Sequence, residues 1–161
     1  MFVSFENMPP ESRAWVYQAN RKLNPTEEDS IHQLAQEFLG SWAAHGAALR
    51  ASFKIMHNQF LVILVDENHN MASGCSIDAS VHFVQQLEHH LGLNFFDRTK
   101  VAFILNDEVF LESLNDLKNK VNEGTIRKNT LTFNNLVRNK QELEEQWLVP
   151  AEQTWLGRYF K

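Results

Sequence analysis

The stretch LRASFKIMHNQFLVILVDE, residues 49–67, contains two runs typical of β-strands on either side of the polar pair Asn58-Gln59. In the first run apolar and polar side chains alternate, which indicates a strand with one face in a core. The second run, 60–65, is apolar at every position, as a central strand covered on both faces would be. The stretch therefore predicts a hairpin whose second strand lies inside the fold.

A strand and a capped helix precede this hairpin. The side chains of RAWVYQANRKL, residues 13–23, begin with the alternation of a strand. The following NPTEED predicts a helix start, because Asn24 can cap it, Pro25 suits its first turn and Glu27 completes a capping box. Gly46 predicts the end of this helix. Apolar residues recur at helical spacing along one face: Ile31, Leu34, Ala35, Phe38, Leu39 and Trp42.

A second helix and a fourth strand follow. SIDASVHFVQQLEHHLGL predicts a helix near 76–91, and KVAFIL predicts a strand. The resulting order, βαββαβ, is that of a ferredoxin-like core, an antiparallel sheet with two helices on one face. We expect an α+β protein with this core over residues 1–106. Four segments should form one sheet: 14–19, 49–56, 60–66 and 100–105.

The last third of the chain, 107–161, predicts a C-terminal αβ extension packed on the core. A short strand is expected near 109–111, followed by a helix that Ser113 caps and Gly124 ends. A further strand and a short helix precede an aromatic tail. Because no flexible linker separates these parts, we expect one compact unit.

The composition limits the classes of function. Hydrophobic residues make up 43% and charged residues 22% of the 161 positions, which is typical of globular proteins. A net charge of -5 argues against general nucleic-acid binding. The N-terminus lacks the features of a signal peptide, and the longest apolar run is too short to cross a bilayer. We expect a cytoplasmic protein with no membrane partner.

Cys75 is the only cysteine and lies where the second predicted helix begins. With Ser76 as the helix cap, its thiol would lie beside free amides at the positive end of the helix, which activates thiols. Asp78 in the predicted first turn would oppose this activation. A thiol enzyme also needs a base, and the sequence places no histidine beside Cys75. We expect a structural cysteine.

The histidines give no metal signature. Three lie on the second predicted helix and two flank the apolar strand: His82, His89, His90, His57 and His69. No helical pair has the four-residue spacing of a metal site, and the flanking pair lacks a third ligand. Asp66 ends the apolar strand near a helix start, where ligand sites and ordinary loop hydrogen bonds both occur. We predict no metal and no cofactor.

Aromatic side chains are dense in the C-terminal tail. They either cover a sheet or helix surface, or form a surface that binds a protein partner or a second copy of the chain. The candidate binding residues, from the strand end, the helix start and the tail, are Asp66, Ser76, Asp78, Trp147, Trp155 and Tyr159.

The whole chain resembles a family of small bacterial proteins of uncharacterised function, through WVYQANRKL, GCSIDASV, TFNNLV and VPAEQTW. Some members of that family are described automatically as ABC transporter ATPases. Such an ATPase needs a G-x-x-x-x-G-K-[ST] loop to hold phosphate, and none of the six glycines begins one. We therefore do not expect ATP hydrolysis.

Residues 101–151 resemble the GYF-type modules of bacterial proteins, which are protein-interaction folds. The resemblance implies a strand hairpin, a helix, a turn and a further strand, but the namesake aromatic motif is missing from its expected place. The matching positions are Leu114, Leu117, Gly124, Ile126, Thr130, Leu131, Phe133, Trp147, Pro150 and Ala151.

These observations predict a non-enzymatic binding or assembly module. Its expected partner is another protein, or a second copy of the chain that pairs through a sheet edge or the tail. The alternative is a small thiol-dependent or redox-sensitive enzyme that uses Cys75. The identity of a small-molecule ligand cannot be read from the residues.

Overall fold

The computed structural model describes all 161 residues, which form nine strands and four α-helices. The strands are β1 (Arg13–Gln18), β2 (Ala43–Ala44), β3 (Ala47–Ala48), β4 (Arg50–Met56), β5 (Phe60–Asp66), β6 (Lys100–Leu105), β7 (Glu108–Ser113), β8 (Leu131–Phe133) and β9 (Leu148–Pro150). The helices are α1 (Pro25–Ser41), α2 (Gly74–Leu91), α3 (Leu117–Asn122) and α4 (Lys140–Gln146). No helix combines the length and apolar character that crossing a membrane requires.

The first sheet has three antiparallel strands in the order β1-β5-β4. Every residue of β5 is buried, which explains its uninterrupted apolar sequence and confirms its central position. The turn before β5 is centred on His57 and Asn58, both with positive φ, one residue earlier than predicted. Gln59 is buried instead, and its side-chain amide donates a 2.7 Å hydrogen bond to the carbonyl of Ala19.

Helices α1 and α2 cover one face of this sheet, as predicted, around a core that includes Ile31, Leu61 and Val84. The predicted capping box is present, since the Asn24 side chain accepts from the Glu27 amide and the Glu27 side chain accepts from Asn24. Helix α1 ends at Ser41, before the predicted stop at Gly46. The intervening residues form the short β2–β3 hairpin, in which Gly46 takes a positive φ.

The opposite face of the first sheet packs on a second antiparallel sheet, in the order β7-β6-β8-β9. The prediction that 100–105 completes the first sheet is therefore wrong, and the ferredoxin-like strand order is not confirmed. One reason is that 138–140 already pairs with part of the free edge of β1: the Ala14 amide donates to the carbonyl of Arg138, at 2.9 Å. In addition, β6 pairs with β7 and β8, which lie beyond residue 106.

The outer face of the second sheet carries one more layer, which is made of helices. Phe103 of β6 packs with Leu117 of α3 and with Leu156 in the C-terminal 3-10 helix, Trp155–Phe160. Val101 and Phe103 therefore face this layer, whereas Ala102 and Ile104 face the first sheet. The whole is an α+β architecture in four layers: helices, sheet, sheet and C-terminal helices.

Candidate functional site

Cys75 lies in the first turn of α2 and is exposed. The helix starts earlier than predicted, because Ser73, not Ser76, caps it: the Ser73 hydroxyl accepts from the Ser76 amide at 3.1 Å. Ser76 is the third helical residue and closes a capping box with Ser73. Asp78 therefore lies in the second turn, too far along to compete for the first-turn amides.

Asp66 is buried and its carboxylate is already engaged within the fold. One oxygen accepts from the amide of Asn68 at 3.0 Å and so closes the loop after β5. The other lies 3.5 Å from Nε of Arg50, its cross-strand neighbour on β4. The carboxylate thus orders the loop after β5, which is the structural role that its sequence position allowed.

The histidines are spread over several surfaces, and no group of three potential metal-ligating side chains comes together. His82, His89 and His90 line a shallow depression of about 790 Å³ between α1 and α2. His57 instead lies against aromatic rings, with its centroid 5.3 Å from that of Phe133 and 5.7 Å from that of Trp147. Burial beside these rings lowers the pKa of His57, and the charge of Asp107 partly offsets this effect.

The tail aromatics differ in their environments. Trp147 is only 3% exposed, packs against Phe60 and Phe133, and donates a 2.9 Å hydrogen bond to the Asn135 side chain. Trp155 is 50% exposed, beside Tyr159. Trp147 is therefore a core residue, whereas Trp155 is available to a partner.

The part of the β1 edge that residues 138–140 leave uncovered has unpaired backbone groups. Along an antiparallel strand, backbone N–H and C=O groups point alternately to one neighbour and the other. The Ala14 amide points away from β5, toward Arg138, so those of Val16 and Gln18 also point away from β5. No strand pairs with β1 there, and the backbone groups of Val16 and Gln18 form no hydrogen bond with another element.

Two adjacent cavities, of about 420 and 360 Å³, border this open edge and share several lining residues. Together they form what we call the β1-edge groove, lined by Val16, Gln18, Phe96, Arg98, Lys100, Leu114, Asn135, Leu136 and Trp155. Side-chain hydrogen bonds fix its floor. Asn135 donates to Gln18 at 2.9 Å, and Gln18 donates to the carbonyl of Lys100 at 3.2 Å.

The rim of the β1-edge groove is apolar. Leu136 is 87% exposed, which is the largest exposure of any large hydrophobic side chain in the protein. Phe96, Leu114 and Trp155 are also among the ten large hydrophobics that are exposed, and all four line this one groove. Clustering of exposed apolar side chains marks interaction surfaces, whereas scattered ones need no explanation.

The charge of the β1-edge groove is positive. Arg98 and Lys100 form no ion pair, while the one acid that lines it, Asp97, accepts two hydrogen bonds from Thr99. These bonds, with a smaller contribution from the Lys100 charge, lower the pKa of Asp97. At neutral pH the groove therefore holds two cations and one anion, in a protein whose net charge is -5.

The sequence alone did not indicate this groove. Two local signals were present, namely the apolar Leu136 inside the polar run NNLVRNK and the aromatic pair Phe95-Phe96 in a loop. Neither signal shows that these loops meet at the edge of β1.

No protein-family model, curated protein or solved structure matches this chain.

Proposed function

We propose that this chain is a non-enzymatic binding module that holds a short, extended, acidic segment of another protein in the β1-edge groove. The observation that carries the proposal is the convergence of three kinds of contact group. Free backbone groups, exposed apolar side chains and unpaired cations all meet at one place, and each contacts a different part of a peptide.

The backbone groups of Val16 and Gln18 favour an extended ligand. A peptide that adds to a sheet edge forms main-chain hydrogen bonds with it, and the flanking side chains select the sequence. Residues 138–140 already use the first part of this edge in the same way. A ligand would continue that pairing over a short length, so its side-chain contacts must supply much of the affinity.

The apolar rim supplies those contacts. Burying an apolar side chain is worth about 25 cal/mol for each Å² removed from water, and Leu136 and Trp155 are the most exposed of the rim residues. An aromatic or leucine side chain of the ligand would cover them. This contact also explains why the fold leaves Leu136 in water, where it stabilises nothing within the chain.

Arg98 and Lys100 favour a ligand that carries negative charge. Arg98 and Lys100 are exposed and have no carboxylate partner, so both are free to pair with a ligand carboxylate, and the planar guanidinium of Arg98 can donate to both of its oxygens. The protein as a whole carries a net charge of -5, so the net-positive groove is a favourable place for an acidic ligand on an otherwise net-negative protein.

The resemblance of 101–151 to GYF-type interaction modules supports the same class of function. Within that range the β6–β7 hairpin, helix α3, a positive-φ turn at Gly124 and strand β8 follow one another, as the resemblance implies.

A random heptapeptide display library tests the proposal, with the whole chain as bait. We expect enriched sequences to combine at least one acidic residue with one aromatic or leucine residue. The best peptide is then synthesised and titrated while tryptophan fluorescence is followed, because Trp155 is exposed in the groove and should shift to shorter wavelength when covered.

Two double variants each reverse two positive charges, one pair inside the groove and one pair outside it. Arg98→Glu with Lys100→Glu should weaken binding by at least about tenfold, equivalent to the loss of about 1.4 kcal/mol. Lys118→Glu with Lys128→Glu, both exposed and outside the groove, should leave the affinity within about twofold of the wild type. Absence of enrichment, or equal effects of both double variants, would refute the proposal.

A further inference from the structure

A second sheet edge, separate from the β1-edge groove, is open along the whole of β7. The Leu114 amide, just after β7, donates to the carbonyl of Thr99 at 2.9 Å, so the even-numbered residues of β7 direct their backbone groups to β6. The N–H and C=O groups of Val109, Leu111 and Ser113 therefore point away from β6. β7 is the last strand of its sheet, and no strand pairs with that side.

The other sheet edges in this protein are covered or interrupted. On the outer side of β4 the Val3 amide donates to Ala51, and the Ala51 amide donates to the carbonyl of Met1. On β1, residues 138–140 take part of the edge. Strand β9 has three residues and ends in Pro150. Short edges, prolines and covering segments are the means by which proteins prevent edge pairing.

β7 is six residues long and contains no proline, and of the protective devices it has only two charged side chains, Glu108 and Glu112. Its side chains are half-buried at four positions, so the strand is held in place while its edge stays in water. We infer that β7 is the dimerisation edge of this protein, and that it pairs antiparallel with β7 of a second copy to join two four-stranded sheets into one.

The sequence of β7 is complementary to itself in this arrangement. With Leu111 opposite its own copy on a twofold axis, Val109 lies opposite Ser113 of the second copy. Each residue whose backbone N–H and C=O groups point away from β6 is then opposite another such residue. This register forms about six backbone hydrogen bonds. It also places Glu112 opposite Phe110 and Glu108 opposite Leu114, so no two like charges lie directly opposite, which would destabilise the pair.

A second copy fits this edge better than the acidic ligand of the groove would. Glu112 would repel an acidic strand that placed a carboxylate directly opposite it, whereas Glu108 already pairs with Lys22 at 2.7 Å. In the symmetric register Glu112 lies opposite Phe110, and the Glu112 side chains of the two copies are diagonal neighbours rather than direct ones. The dimer leaves the backbone groups of β1 free, because β1 belongs to the other sheet. Its one contact with the groove is at Leu114, which lines the groove and lies opposite Glu108 of the second copy.

Ser113 offers a substitution that removes one outward-facing donor and little else. Its φ of -68° and ψ of 143° suit proline, whose ring fixes φ at about -65°, and its hydroxyl makes no capping hydrogen bond. Glu112 before it is extended, as a residue before proline prefers to be. Ser113→Pro should therefore keep the fold, while Ser113→Ala is the matched control that retains the N–H.

The measurement is sedimentation equilibrium over a range of concentrations. We expect the wild type and Ser113→Ala to form a dimer in a concentration-dependent way. Ser113→Pro should raise the dissociation constant by at least about tenfold, because two hydrogen bonds are lost per dimer. A wild-type protein that stays monomeric at millimolar concentration, or a folded Ser113→Pro variant that dimerises as well as Ser113→Ala, would overturn the inference.

Hydrogen exchange of the wild type provides a test that does not depend on the variant folding. The amides of Val109, Leu111 and Ser113 should exchange more slowly as the dimer forms, whereas those of Val16 and Gln18 should be unchanged. If the protein dimerises while the β7 amides keep their exchange rates, the contact lies elsewhere and the inference is wrong.

Discussion

The two tail tryptophans should respond very differently to truncation, although they are eight positions apart in the chain. Trp147→Ala removes a side chain that is 3% exposed, and Trp155→Ala removes one that is 50% exposed. The indole of Trp147 lies 4.8 Å from the ring of Phe133 and 4.9 Å from that of Phe60, both edge to face. Its N–H also donates to Asn135, which in turn holds the floor of the β1-edge groove.

Replacing a buried tryptophan with alanine destabilises by about 3–5 kcal/mol, because the lost transfer free energy is joined by a cavity that relaxes only in part. Aromatic pairs add about 0.5–1.5 kcal/mol beyond their buried area. For Trp147→Ala we therefore expect a loss of about 4 kcal/mol, a large part of the total stability of an ordinary domain. The melting temperature should fall by roughly 8–16 °C for a chain of this size. For Trp155→Ala we expect a loss of at most about 1 kcal/mol.

Urea unfolding followed by circular dichroism measures both variants on the same scale. If the free energy of unfolding depends on urea concentration with the same slope in both, they unfold in the same kind of transition and their stabilities can be compared. Similar losses for both tryptophans, or a loss for Trp147→Ala below about 1 kcal/mol, would refute the assignment of Trp147 to the core. Trp147→Ala should also weaken peptide binding in protein that remains folded, because Asn135 loses its donor and no longer anchors Gln18.

Two further predictions concern pH and helix capping. Burial lowers the pKa of His57 in the folded state. The stability that its neutral form contributes is therefore fully present above the unfolded pKa of about 6.5 and is lost as pH falls through the folded pKa. Urea midpoints measured between about pH 7.5 and 5 should fall less for His57→Asn than for the wild type, and equal falls would contradict this. Asn24→Ala should destabilise the protein by about 1 kcal/mol in urea unfolding, because the Glu27 amide loses its 2.8 Å acceptor. Asn24→Ser should keep most of that stability, because serine is also a good cap. Equal stabilities of the two variants would argue against the cap.

Those parts of the fold that depend on nearby residues could be predicted from the sequence. The Asn24–Glu27 capping box forms as expected, because a cap involves only residues within one helical turn. The continuous apolar run in β5 indicated a strand covered on both faces, and it is. The α+β class and the antiparallel pairing of 14–19, 49–56 and 60–66 follow from such local patterns.

Local signals were less decisive where two neighbouring residues could play the same part. Ser73 and Ser76 are both good caps, and the structure uses Ser73 while placing Ser76 at the third helical position. Asn58 and Gln59 both read as turn residues, but tertiary contacts bury Gln59 under the carbonyl of Ala19. In each case the sequence determined the element, and packing selected which residue begins or ends it.

Only the tertiary structure decided which strands are the neighbours of 100–105. The short apolar run in 100–105 predicts a strand, but not whether it pairs with β1 or with β7 and β8, since pairing depends on backbone groups that every residue carries. Likewise, composition could not tell Trp147 from Trp155, because burial is set by what packs against each side chain. The β1-edge groove has the same origin: it exists because 138–140 pairs with only part of β1, and loops distant in sequence then bring Phe96, Arg98 and Leu136 to the remainder.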